Sequence, residues 1–172
     1  MLKWFGAALV ILSGGLAGLY QARQFAARPR QIRELILALQ RLETEISYGF
    51  TPLPRALERI GASMKMPLSG LFLEAARGMG PQAGLSVQES MESSLRLYWG
   101  QTSMKPAERE VIRQLSIVLG TSDRQDQMKH IALAASQLKH EEAAAREDQA
   151  RYEKMSKSLG FLISALIVIL IF

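Results

Sequence analysis

The uncharged stretch LGFLISALIVILIF occupies residues 159–172 of the chain. It is apolar on every face rather than along one stripe, which is typical of a helix that spans a membrane. Extended back to Met155, the segment approaches the roughly 30 Å of bilayer hydrocarbon, at about 1.5 Å per helical residue. We therefore predict a transmembrane helix at 158–172. The alternative is a C-terminal helix buried in a protein core.

A second hydrophobic segment lies near the N-terminus, where the run from Trp4 to Tyr20 has no charged residue. Five arginines against one glutamate follow between Gln21 and Arg41. Basic residues beside a membrane span usually mark its cytoplasmic side. Because the run is longer than a typical signal-peptide core and the charge follows it, we predict a retained transmembrane helix at 2–20. A cleaved signal peptide is the alternative.

Composition limits the remaining classes of protein. Between the two hydrophobic segments lie about 135 residues, which is the size of one ordinary domain. The chain has no cysteine, which excludes disulfides and thiolate metal sites. Its net charge of +5 leaves open a membrane-tethered nucleic-acid-binding protein that uses a basic juxtamembrane patch. This patch consists of Arg23, Arg28, Arg30, Arg33 and Arg41.

Apolar residues recur in the middle of the chain at spacings of three and four, which indicates amphipathic helices. Proline, glycine and a Ser86–Glu89 capping box divide this region into five helices before a long sixth. The predicted helices span 29–48, 52–61, 67–78, 86–100 and 106–120. No run alternates apolar and polar residues for long enough to predict a strand. The predicted fold class is therefore all-α, a six-helix bundle within residues 28–157.

The sixth helix is predicted to begin with a cap at Ser122 or Asp123 and to continue into the C-terminal span, because no breaker precedes Gly160. Its apolar seam weakens after Leu138, and Glu–Arg or Glu–Lys pairs at i,i+4 take over between 139 and 157. We therefore expect residues 139–157 to form a solvated stalk that holds the bundle away from the membrane. A surface covered by another protein or a second copy is the alternative.

Motifs of catalysis and cofactor binding are absent from the sequence. It has neither a GxxxxGK[ST] phosphate loop nor a GxGxxG turn. His140-Glu141 begins a zinc-protease pattern, but Ala144 stands where the second histidine would be required. Asp123 and Asp126 lie at a helix start, where carboxylates are expected as caps. We predict no catalytic, cofactor-binding or metal-binding residues, and a protein that is not an enzyme.

Two helix starts and one turn carry a family resemblance. TPLPRAL at 51–57 resembles a helix start of the type II secretion F domain, the cytoplasmic helical domain of inner-membrane platform proteins. GLSVQESM at 84–91 resembles a second such start, one helical hairpin later. LGTSDRQDQMKHI at 119–131 occupies the place of the glycine-containing turn before the last helix. In this form it is similar to the stage III sporulation protein AB family of endospore-forming bacteria.

The resemblance implies a single F-like domain with a span at each end, where platform proteins usually carry two domains. It implies a non-enzymatic scaffold in the mother-cell membrane around the forespore, with its central domain in the cytoplasm. The implied partners are a cytoplasmic secretion-type ATPase, other membrane subunits of the same complex and the lipid bilayer. A homo-oligomer is left open, and nucleic acid is not expected. Mechanical coupling to the ATPase and static anchoring both remain open.

Polar side chains at the turn before the sixth helix, and at the second and fourth helix starts, are the candidate partner-binding residues. They are Asp123, Arg124, Asp126, Arg55 and Gln88. Charged residues at loop tips are also common on plain solvated surface, which is the alternative.

Overall fold

A computed structural model describes residues 26–49 and 51–171 of the chain, with side chains described as far as Met155. Within these residues all regular elements are helical. Helix α1 covers 26–47, and a short 3₁₀ turn, Trp99–Gln101, continues α4. The other helices are α2 (Leu53–Ala62), α3 (Leu68–Gly78), α4 (Val87–Tyr98), α5 (Pro106–Leu119) and α6 (Arg124–Ile171). The predicted all-α class with six helices is confirmed for the described part of the chain.

Local sequence signals set most of the helix boundaries. The Ser86–Glu89 capping box is confirmed: the Glu89 amide donates to Ser86 Oγ at 3.2 Å, and the Ser86 amide donates to Glu89 Oε2 at 3.0 Å. The second hydrogen bond to this carboxylate comes from the Ser86 hydroxyl, and it lowers the Glu89 pKa. The predicted start of α1 near Pro29 differs from the structure, whose described residues are already helical at residue 26.

The hydrophobic core draws on all six helices. The apolar residues that recur on α1 at spacings of three and four are each at most 8% exposed, and they are Ile32, Leu35, Ile36, Leu39, Leu42 and Ile46. The largest fully buried apolar side chains are Ile32, Leu35, Leu39, Leu42, Leu57, Leu68, Leu71, Leu95, Ile131 and Leu138. They come from every helix except α5, which contributes Ile112, Leu115 and Leu119 at slightly higher exposure.

Antiparallel packing gives the bundle two ends. At the distal end, Arg124 at the start of α6 contacts the carbonyls of Ile46 and Ser47 at the end of α1. The same end holds the starts of α2 and α4 and the ends of α3 and α5. At the opposite, proximal end, the starts of α1 and α5 meet through an Arg28–Glu108 ion pair.

Helix α6 is a single helix of 48 residues, which corresponds to a length of about 72 Å. The predicted continuity between the last bundle helix and the C-terminal segment is therefore confirmed for the backbone. Among the residues that the structure describes, no helix is both long enough and apolar enough to cross a bilayer. The segment 2–20 lies outside those residues, as do the side chains of 158–172, so both membrane spans stay predictions.

The solvated stalk begins later than predicted. Ala145 is only 1% exposed, and Glu141, Glu142 and Asp148 form ion pairs with residues outside α6. One of the expected i,i+4 pairs, Glu142–Arg146, is present at 2.8 Å, but Glu142 also contacts Arg33 on α1 at 2.8 Å. Residues 150–155 are exposed. The first half of the predicted stalk is thus part of the bundle, because α1 and α5 supply the opposite charges.

Ser90 on α4 has a buried hydroxyl without a hydrogen-bond partner among the described residues. An unsatisfied buried polar group is unfavourable, so we expect Ser90→Ala to raise the free energy of unfolding by up to about 1 kcal/mol. Urea unfolding followed by circular dichroism measures this change. Ser94→Ala is the matched control. The Ser94 hydroxyl donates to the Met91 carbonyl at 2.8 Å, so its removal should not raise the free energy of unfolding. A larger loss for Ser90→Ala than for Ser94→Ala would contradict the expectation.

Candidate functional site

A groove of about 360 Å³ lies at the distal end of the bundle. We call it the distal groove. It forms where the starts of α2 and α4 meet the ends of α3 and α5, because antiparallel helices bring alternate termini together. Its lining residues are Leu53, Pro54, Met79, Leu85, Ser86, Val87, Gln88, Ser116, Ile117, Gly120 and Thr121.

Two glycines allow the backbone to form this groove. Gly84 has a φ of 61°, a left-handed conformation that side chains other than glycine rarely adopt, and it turns the chain into α4. Gly120 ends α5 close to α4, where an added β-carbon would lie 3.3 Å from Val87 Cβ. The capping box of Ser86 then fixes the first turn of α4 at the groove wall.

The mouth of the distal groove is apolar and open to solvent. Leu85, in the loop before α4, is 42% exposed, and Ile117 on α5 is 38% exposed. Large apolar side chains grouped at a concave surface are typical of a binding site for a partner side chain or ligand. The distal groove therefore presents an apolar binding surface with polar groups at its edge.

The structure places one of the candidate partner-binding residues in the lining of this groove and a second next to a lining residue in sequence. Gln88 lines it and donates from Nε2 to Glu92 Oε1 at 3.4 Å. Arg55 is exposed and follows the lining residue Pro54 directly. Arg55 and Gln88 are 33 residues apart in sequence. The two helix starts that carry them nevertheless lie at the same end of the molecule.

The other three candidates lie at the start of α6, close in sequence to the groove residues Gly120 and Thr121: Asp123 directly precedes the helix, and Arg124 and Asp126 are in its first turn. Asp123 Oδ1 accepts the Asp126 amide at 3.0 Å and caps the helix, and Asp126 pairs with Lys129 at 3.2 Å. Arg124 faces inward: its guanidinium donates to the Ile46 and Ser47 carbonyls, each at 2.6 Å. These two carbonyls belong to the last turn of α1, where no intrahelical partner is available. Arg124 therefore joins α1 to α6.

A charged cluster at the proximal end was not recognised from the sequence. Arg28 pairs with Glu108 at 2.6 Å, with Glu141 at 3.1 Å and with Asp148 at 3.4 Å. Lys105 adds a second contact to Asp148 at 3.1 Å. We call these five residues the Arg28 cluster. The Arg28 and Glu108 side chains are only 7% and 0% exposed, so their charges compensate each other inside the protein.

Hydrogen bonds fix the orientation of this cluster. Glu108 Oε1 accepts from Arg28 Nε at 2.8 Å, while Oε2 accepts the backbone amide of Lys105 at 2.8 Å. Glu108 thus caps the start of α5 and binds α1 at the same time. The hydrogen bond from the Lys105 ammonium is the main reason that the pKa of Asp148 lies below its ordinary value, with the charges of Lys105 and Arg28 adding to it.

Two arginines of the basic juxtamembrane patch pair with carboxylates in the structure. Arg28 is buried against carboxylates, and Arg33 pairs with Glu142 at 2.8 Å. Arg41 donates to the neutral Ser63 hydroxyl at 2.7 Å, Arg30 is exposed, and Arg23 lies outside the described residues. A surface that binds nucleic acid requires cations free to contact phosphates. The two carboxylate pairs therefore reduce, but do not remove, the positive charge that the nucleic-acid alternative would use.

Comparisons with known proteins agree with one another. The family model "Stage III sporulation protein AB" matches residues 3–172 of the chain. A relative, Stage III sporulation protein AB of Bacillus subtilis (strain 168), is 42% identical over 171 residues, with 99% of each chain covered. A solved structure, "Stage III sporulation protein AB (SpoIIIAB)", is similar with a TM-score of 0.68 and 41% identity, over 73% of this chain and 98% of the solved chain. The chain therefore belongs to the stage III sporulation protein AB family.

Proposed function

We propose that the chain is a non-enzymatic platform or scaffold subunit of a secretion-like complex between mother cell and forespore during endospore formation. In this role it docks a cytoplasmic secretion-type ATPase through the distal groove. The groove is the observation that carries the proposal, because it presents exposed apolar side chains in a concave site formed by four helix ends. The membership of the family supplies the link to sporulation.

The position of the distal groove suits a partner from the cytoplasm. Helix α6 begins at the distal end and runs for 48 residues away from it. If residues 158–172 and 2–20 cross the mother-cell membrane around the forespore, the groove is the part of the bundle farthest from the lipid bilayer. A large soluble ATPase can then reach it without meeting the membrane, while other membrane subunits contact the spans.

Helix α6 also gives a physical basis for coupling. One uninterrupted helix joins the turn beside the distal groove to residue 171. A rigid helix transmits displacement along its axis, but coupling requires an element with two arrangements, whereas static anchoring requires none. Binding that changes with nucleotide distinguishes the two roles.

The test is a pull-down of the ATPase with the full-length chain, with and without ATP. We expect Leu85→Glu and Ile117→Glu each to weaken binding by about tenfold or more, because a carboxylate would replace an apolar anchor in the groove. Both side chains are exposed enough that the substitutions should leave the fold intact, which circular dichroism checks.

Leu97→Glu is the matched control, because Leu97 is 57% exposed but lies near the end of α4, away from the distal groove. It should bind as the unmodified chain does. Equal loss in all three variants, or undisturbed binding in the two groove variants, would contradict docking at the groove. Arg124 is unsuitable for this test since its side chain holds the end of α1.

A further inference from the structure

Helix α6 is attached to the bundle in two different ways along its length. Up to Leu138 the attachment is apolar, through the buried residues Ile131, Ala134, Ala135 and Leu138. From 139 to 155, Ala145 is the only buried apolar residue among the described side chains of the helix. An alanine removes little apolar surface from water, so hydrophobic packing contributes little to holding this segment.

Ion pairs hold the segment instead. Glu141 and Asp148 contact Arg28 on α1 at 3.1 and 3.4 Å, and Asp148 also contacts Lys105 at 3.1 Å. Glu142 contacts Arg33 on α1 at 2.8 Å. Three carboxylates on one side of α6 therefore face three cations on α1 and at the start of α5.

The surface of α1 and α5 that contacts these carboxylates keeps its own buried ion pair without α6. Arg28 and Glu108 form a buried pair between α1 and α5, and Glu108 also caps the Lys105 amide. If the segment 139–155 moved away, Arg28 would keep its main partner. The Glu141 and Asp148 side chains are already 33% and 42% exposed, so they would regain water rather than be left as buried charges.

We propose that Glu141, Glu142 and Asp148 form an ionic latch, and that residues 139–155 of α6 exist in a docked and a released arrangement. Releasing the latch separates this segment from α1 and α5 while the apolar core, including Leu138, stays closed. The direction in which the end of α6 leaves the bundle is thereby adjustable, without any change at the distal groove. This inference concerns the chain alone and does not depend on the proposed partner.

Hydrogen–deuterium exchange of the full-length chain tests the latch. We expect the triple variant Glu141→Gln/Glu142→Gln/Asp148→Asn to raise amide exchange about tenfold in peptides that cover 139–155, with exchange in α2–α4 unchanged. The three side chains are 33%, 14% and 42% exposed, so the variant should fold. Raised salt should increase exchange of the same peptides in the unmodified chain, because ions screen partly exposed pairs.

Glu147→Gln is the control, since Glu147 is an exposed carboxylate of the same segment. This variant should exchange near the level of the unmodified chain. That result would show that the loss of the ion pairs, and not the loss of any acidic residue from the helix, raises the exchange. Unchanged exchange in the triple variant would overturn the proposal, because the ion pairs would then not hold the segment. Faster exchange throughout α2–α5 would also overturn it, since the contacts would then brace the whole bundle.

Discussion

Arg28→Met is expected to lower the free energy of unfolding by about 3–5 kcal/mol. The variant leaves the Glu108 carboxylate in place with 0% side-chain exposure and without the guanidinium that compensates its charge. The backbone amide of Lys105 still donates to Glu108, but one neutral donor does not replace a cation. Most of the loss therefore comes from the stranded carboxylate rather than from the absent arginine.

A second variant separates these two causes. Arg28→Met/Glu108→Gln removes both charges, and the side-chain oxygen of the introduced glutamine can still accept the Lys105 amide. We expect the double variant to be more stable than Arg28→Met alone by about 2 kcal/mol, because replacing both ions of a buried pair costs less than removing one. Urea unfolding of the three chains gives the comparison. A double variant no more stable than Arg28→Met would show that Glu108 needs no compensating charge at this site.

The helix boundaries could be predicted because their signals are local. Pro106 and the Ser86–Glu89 box act within one turn of their own helix, and the structure has helix starts at both places. The inner face of α1 was also predictable, since residues such as Ile32 and Leu39 repeat at helical spacing. These features need no knowledge of which helices are neighbours.

The Arg28 cluster could not be predicted in the same way. Arg28 contacts Glu108, Glu141 and Asp148 across 80, 113 and 120 residues of sequence. Pairing rules at i,i+4 consider one helix only, so they assign the carboxylates of α6 to a solvated stalk and leave Arg28 in a surface patch. One signal was available at Glu108, which occupies the third helical position after Lys105, where an acidic side chain is expected to cap the helix.

The distal groove could be predicted from the sequence only in part. Candidate residues at separate helix starts could be predicted, and antiparallel packing brings Gln88 and Arg55 to one end of the bundle. Which apolar residues would be left exposed there was not predictable, because Leu85 and Ile117 resemble core residues until the neighbouring helices are placed. The inward direction of Arg124 depends in the same way on the end of α1.

Gly70→Ala is expected to destabilise the bundle, although alanine is normally the better helix residue. Gly70 lies in the first turns of α3, directly beneath the ring of Tyr98 at the end of α4. A β-carbon there would overlap three atoms of that ring, which are Cδ1, Cε1 and Cζ. Alanine gains about 1 kcal/mol over glycine inside a helix. The overlap costs about 1–3 kcal/mol, and since it involves three ring atoms we expect a net loss.

The sign of this change should depend on Tyr98. With Tyr98→Ala as the background, the space above Gly70 is open, and Gly70→Ala should then stabilise the chain by about 1 kcal/mol through helix propensity alone. Gly100→Ala provides a control for glycine replacement at this end of the bundle, because no atom lies within 4 Å of a β-carbon at that position. Thermal unfolding of the four chains of the cycle measures the coupling between the two residues. A stabilising Gly70→Ala in the presence of Tyr98 would show that the ring moves aside at little cost, and that the close contact between α3 and α4 does not depend on glycine.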